Sequence, residues 1–228
     1  MNQAALGGGS PTMRLVLVPA LISLVVTLWR LTGELLTWST VFFNPEAGGV
    51  GAIIGITWLA PIFGIYFALH LAKNGDAPSS WGKAIGLAVL GCFLLVAGGP
   101  GQAFLAQKNF LGSLMFIWLL AAITSGLQYL GWPQLFKTLL TYALGARLPV
   151  VLIMALAMRG TWGTHYDAIP AGFPELAELG WWGSFLWLGF FPQVVFWVGF
   201  TIVIGSFFGI PVASLVHRRK PTIETAPS

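Results

Sequence analysis

The chain has 228 residues, of which 57% are hydrophobic and only 8% charged, with a formal net charge of +4. An average soluble domain is about 25% charged, so this much apolar surface requires lipid as its solvent and excludes an ordinary water-soluble fold. The positive balance does not indicate a nucleic-acid partner. The basic residues sit singly at the ends of apolar runs, where they encode membrane topology, and not along a phosphate-binding groove.

In chain order, residues 1–12 are polar and glycine-rich and read as a flexible cytoplasmic tail. The first predicted span is 13–36. The run after Arg14 resembles a signal peptide, but it passes straight into Trp29-Arg30-Leu31-Thr32 with no small-x-small cleavage site, so an uncleaved span is expected. Asn44-Pro45-Glu46 turns the chain into span two, 48–71. There Gly51 and Gly55 are four apart and read as a helix-packing notch. A dinucleotide loop is not expected there: Gly49-x-Gly51-x-x-x-Gly55 has a residue too many and no strand precedes it. Span three, 81–97, meets Gly98-Gly99-Pro100-Gly101, a tetrad expected to break the helix as a loop or, where it lines a cavity, as a gate. Spans four, five and six are expected at 110–130, 133–158 and 181–216. An external loop, 160–180, precedes the last span, which carries a second notch at Gly205 and Gly209. Residues 218–228 form a cytoplasmic tail whose Arg218-Arg219-Lys220 cluster reads as a stop signal.

Six spans, a membrane domain over 13–217, place both termini on one side. Arg14, Lys73, Lys83, Lys137, Arg218, Arg219 and Lys220 then share that side, against Lys108 and Arg159 on the other. Positive residues accumulate in the cytoplasm. The expectation is therefore an all-α, six-span bundle of a bacterial inner membrane, with both termini inside.

Arg147 lies near the middle of span five, where a charge costs roughly 2.5–3.5 kcal/mol on insertion scales. Two accounts are open. In one, Arg147 clamps two helices through Glu34, or through the Gly145 carbonyl that Pro149 deprives of its helical partner. In the other, it anchors an anionic or polar solute in a water-filled cavity. Arg30 and Glu34 are four apart and share a helix face, so Glu34 has a competing local partner.

Other chemistry finds little support. His70 and His217 fall near the cytoplasmic face, and a haem clasped between them has no second signal, so no cofactor is expected. His165 and Asp167, in the 160–180 loop, are weak metal candidates without H-x-x-x-H spacing, and no metal site is expected. No nucleophile has a histidine at its own depth, so no catalytic residue is assigned. Cys92 is the single cysteine and pairs with none in the chain. Two functional readings follow. The first is a non-catalytic subunit or scaffold of a membrane assembly, whose partners are the bilayer and other subunits or its own copies. The alternative is a compact carrier or binding protein for a small anionic or polar solute, held at Arg147.

Overall fold

The structure is a computed structural model and describes residues 11–49, 53–170 and 175–218. The described residues form no strand, and six helical segments are long and apolar enough to cross a membrane. The first is α1, Pro11–Leu35. A 3-10 turn at Ile56–Trp58 leads into α2, Leu59–Lys73. Three long helices follow: α3 (Trp81–Ala106), α4 (Phe110–Gly131) and α5 (Pro133–Gly160). Two short ones, α6 (Glu175–Glu178) and α7 (Gly180–Ser184), come next. Two π-helical stretches, Phe185–Phe190 and Pro192–Trp197, then join α7 to α8, Val198–Arg218. Large apolar side chains on the outside of the bundle, among them Leu17, Val25, Phe93, Val96, Leu119 and Leu152, are exposed. In water such a surface would aggregate; in hydrocarbon it costs nothing.

The helix starts are set by local chemistry. Ser80 Oγ accepts from the Lys83 amide, and Asn109 Oδ1 accepts from the Gly112 amide at 2.9 Å, which satisfies otherwise orphaned donors. Pro133 occupies the first turn of α5, where its missing N–H is harmless.

Two expectations are corrected. The helix expected to stop at Ala97 runs unbroken through Gly98-Gly99-Pro100-Gly101 to Ala106, so the tetrad is neither a loop nor a break that could serve as a gate. Within lipid, an unwound backbone has no water to bond, so the helix persists through residues that would end it in water. Gly98 also has a packing role, since a Cβ there would collide with Leu120 of α4. The second correction concerns span two. Its helix starts at Ile56, not residue 48, and Gly55 lies before it in extended backbone, not in a helical notch. Its partner Gly51 lies outside the described residues, as do most of the terminal tails, including Arg219 and Lys220. The described residues between α1 and α2, 36–49 and 53–55, instead form a strap. Gly48 adopts a left-handed φ of 75°, Phe43 packs its ring on Gly33 of α1, and the Asn44 carbonyl accepts from Arg30 Nη2 at 3.2 Å.

The most extensive helix pairings are α2 with α8 and α3 with α4. In the first, Gly64 meets the backbone of Gly205, and Gly209 meets that of Gly64, so the helix axes approach as closely as backbone allows. Beside this seam, Tyr142 of α5 takes edge-on contacts from Phe63 and Phe67 of α2, with centroids 5.2 and 5.4 Å away. The Tyr142 hydroxyl bonds Ser23 of α1 at 2.9 Å, which ties α1 to α5.

Gly64→Val is therefore expected to push α2 off α8 and destabilise the fold by about 1–3 kcal/mol or more. Gly99→Ala, which faces open space on α3, should leave stability unchanged or slightly raised. Thermal unfolding of the two variants in mild detergent checks this contrast.

Candidate functional site

The buried face of α5 carries Leu135, Thr138, Leu139, Tyr142, Ala143, Ala146, Arg147, Val150, Ile153, Met154 and Ala157. That three-and-four spacing defines one stripe, and Arg147 sits inside it with 6% of its surface exposed. Its Nη1 donates to Gln193 Oε1 at 3.3 Å, and its guanidinium carbon lies 4.8 Å from the centre of the Trp197 ring. Both partners come from the second π-helical stretch. The wider i→i+5 turns place Gln193 and Trp197 together on the side facing α5. Gln193 is itself steadied by its Nε2, which lies 3.6 Å from Met154 Sδ.

Neither partner expected of Arg147 is the one it meets. Glu34 does not pair with it, and the Gly145 carbonyl does not accept from it. Gly145 faces α1, where a Cβ would lie 3.4 Å from Ala20 Cβ. Among the described residues no carboxylate forms an ion pair with Arg147, and Gln193 is its one hydrogen-bond partner.

Glu34 is instead saturated by others. Its Oε1 accepts from Arg30 Nε at 2.8 Å on its own helix. His165 closes on it from the loop after α5: the His165 amide donates to Oε2 at 2.9 Å, and Nδ1 lies 2.6 and 2.8 Å from the two oxygens. The described part of the loop, 161–170, is thus folded onto the bundle end. Tyr166 is buried beside it and donates to the Thr27 carbonyl at 3.3 Å. Asp167 does not converge with His165 on an ion. Its carboxylate accepts from the Gly163 and Thr164 amides and from Thr164 Oγ1, and so holds the loop's own turn. Burial pushes the His165 imidazole below the ordinary histidine pKa, with Arg30 acting in the same direction and Glu34 and Asp167 opposing.

Arg147, Gln193, Trp197, Arg30, His165 and Tyr166 border one cavity of about 450 Å3. Thr27 and Arg30 of α1 form one wall, and Arg147, Val150 and Met154 of α5 another. The strap and 3-10 turn contribute Gly55 to Trp58, the loop contributes His165 and Tyr166, and the π-helical stretches contribute Trp187, Gln193 and Trp197. The lining is mostly apolar and aromatic with a few convergent polar groups, the usual make-up of a small-molecule site. A Cβ at Gly55 would stand 3.2 Å from Arg30 Nη1, a tight approach that the guanidinium would have to yield to.

Of the remaining sequence candidates, Gly98 to Gly101 lie within α3 and do not line the cavity, and Gly205 and Gly209 serve the α2–α8 seam. His70 packs near Tyr66, and His217 lies 5.4 Å from Trp81, both away from the cavity. Gln193 and Tyr166 were not singled out in the sequence. Gln193 had a signal: it is the one amide side chain in an apolar run of 38 residues, and it follows a proline. No protein-family model, curated protein or solved structure matches the chain.

Two outcomes follow. Glu34→Ala leaves Arg30 and the docked loop without their shared acceptor and is expected to cost about 3–5 kcal/mol. Protease cleavage within 161–170 should accelerate alongside the loss of thermal stability. A histidine held below its unfolded pKa stabilises the docked loop above about pH 6.5, and that contribution falls away as pH drops through this value. The protection factors of the His165 and Tyr166 amides, with exchange corrected for its intrinsic pH dependence, should therefore fall on the acid side.

Proposed function

We propose that the protein binds, and by its membrane setting carries, a small anionic solute anchored at Arg147. The observation that carries this reading is a buried guanidinium beside open volume. Of its five N–H donors, one has a hydrogen-bond partner among the described residues, and the side chain lines the 450 Å3 cavity. A carboxylate or phosphate can take two such donors in a parallel fork, a stronger arrangement than a neutral acceptor offers. The aromatic walls, Trp58, Trp187 and Trp197, suit a solute whose body is apolar or planar. A scaffold would use Arg147 as a closed clamp on Glu34. Glu34 is occupied by Arg30 and His165, which favours a ligand as the missing counter-charge.

The lysine and arginine bias along the chain supports a bacterial inner-membrane orientation with both termini in the cytoplasm. In that orientation the cavity lies in the outer half of the bundle, under the loop that carries His165.

The test is a tryptophan-fluorescence titration of the reconstituted full chain with benzoate, octanoate and inorganic phosphate, and with benzamide as the neutral control. At least one anion should quench saturably and benzamide should not. Arg147→Lys should unfold at the same temperature yet bind at least about tenfold more weakly, a difference of about 1.4 kcal/mol, because lysine lacks the fork. A panel in which no anion binds, or in which Arg147→Gln binds as well as the native chain, removes the reading.

A further inference from the structure

We propose that His165 is a proton site that fills together with the anion, so that the cavity takes up a monoanion and one proton as a neutral pair. This rests on the anion-binding reading above and adds its coupling ion.

The tautomer is fixed by geometry. The Glu34 carboxylate already accepts from Arg30 Nε and from the His165 amide, and an ionised carboxylate only accepts. His165 Nδ1, within hydrogen-bond distance of both its oxygens, must therefore carry a hydrogen. The titrating atom is then Nε2. It has no hydrogen-bond partner among the described residues, and the side chain, 15% exposed, borders the cavity. His165 thus lines the same cavity as the Arg147 guanidinium, with the Nε2 lone pair as its unengaged acceptor.

Charge decides when that lone pair fills. The charged groups that act on it are Arg30 and Glu34 from α1 and Asp167 from its own loop; Arg147 of α5 lines the same cavity and completes the charge count of the site, and Tyr166 beside it is neutral. Two cations and two carboxylates cancel, so the empty site is balanced with a neutral imidazole. A proton added alone leaves a net positive charge in a poorly solvated pocket, in keeping with the depressed basicity of His165. A monoanion added alone leaves a net negative charge. The two together restore balance, and each raises the affinity for the other by the same factor. Glu34 holds the imidazole in this orientation in both states, because Nδ1–H donates to it whether or not Nε2 is protonated.

The experiment is calorimetric titration of the full chain in nanodiscs with the panel anion that binds, using benzoate first because it stays ionised across the range. Each titration is run at pH 7 in two buffers of different ionisation enthalpy, and affinities are followed from pH 6.5 to 8. Uptake approaching one proton per anion is expected, with affinity falling toward tenfold per pH unit as pH rises. His165→Asn keeps an N–H directed at Glu34 but has no titratable nitrogen. It should bind with little pH dependence and no proton uptake. Anion binding without proton uptake by the native chain overturns the proton site and leaves the anion site standing, as does unchanged uptake in His165→Asn. If no anion binds, both are overturned. Should His165→Asn fail to fold, the native proton count decides alone.

Discussion

Glu34 is the one carboxylate buried in the bundle among the described residues, and both of its oxygens are engaged. An anion in that setting survives only if every lone pair that water would have served is served by something else. Arg30, one turn earlier on α1, supplies one donor, and the backbone and ring of His165 supply the rest. Meeting that need fixes much else. The loop after α5 must fold back over the bundle end, Tyr166 is drawn in beneath it, and Arg30 is held inside the protein and does not reach for headgroups. Arg30 in turn grips the strap at Asn44. One acid therefore sets the position of three separate pieces of chain.

Arg147 is governed by the same constraint with a different outcome. Its surroundings answer it with an amide oxygen and a ring face, both weaker than a carboxylate. The bundle tolerates this because the guanidinium borders a cavity whose mostly apolar walls carry a few polar groups, where water or a solute can approach. A charge that is enclosed yet under-served is the mark of a place where something else binds.

Much of this was legible in the residues. Apolar runs of span length announced six helices long and apolar enough to cross a membrane, because hydrocarbon thickness leaves little choice of segment. The four-residue spacing of Arg30 and Glu34 gave their contact. What was not legible depended on tertiary surroundings. Gly98 to Gly101 look like a stop in any aqueous setting, but lipid penalises unwinding more than it penalises proline. Gly55 looked like half of a helical notch and lies instead in extended backbone beside Arg30. His165 sat among polar neighbours in a long connector, and nothing local revealed that its partner lay 131 residues away on α1. Gln193 was visible as a lone amide, but its meeting with Arg147 needed the π-helical geometry, which has no simple sequence signature.

That widened stretch has one more consequence. Each π turn accommodates an extra residue relative to an α turn, and a residue of offset rotates a helix face by about 100°. The half of the last span that carries the cavity wall and the half that carries the Gly205–Gly209 seam are therefore out of phase with each other. Removing the extra residue from each of the two stretches, Phe185–Phe190 and Pro192–Trp197, would bring the two halves into register, and the wall or the seam would then have to face the wrong way. The irregularity acts as a joint between two surfaces with incompatible orientations. It lets a single polypeptide rod lock tightly to α2 at one end while presenting an amide and an indole to α5 at the other.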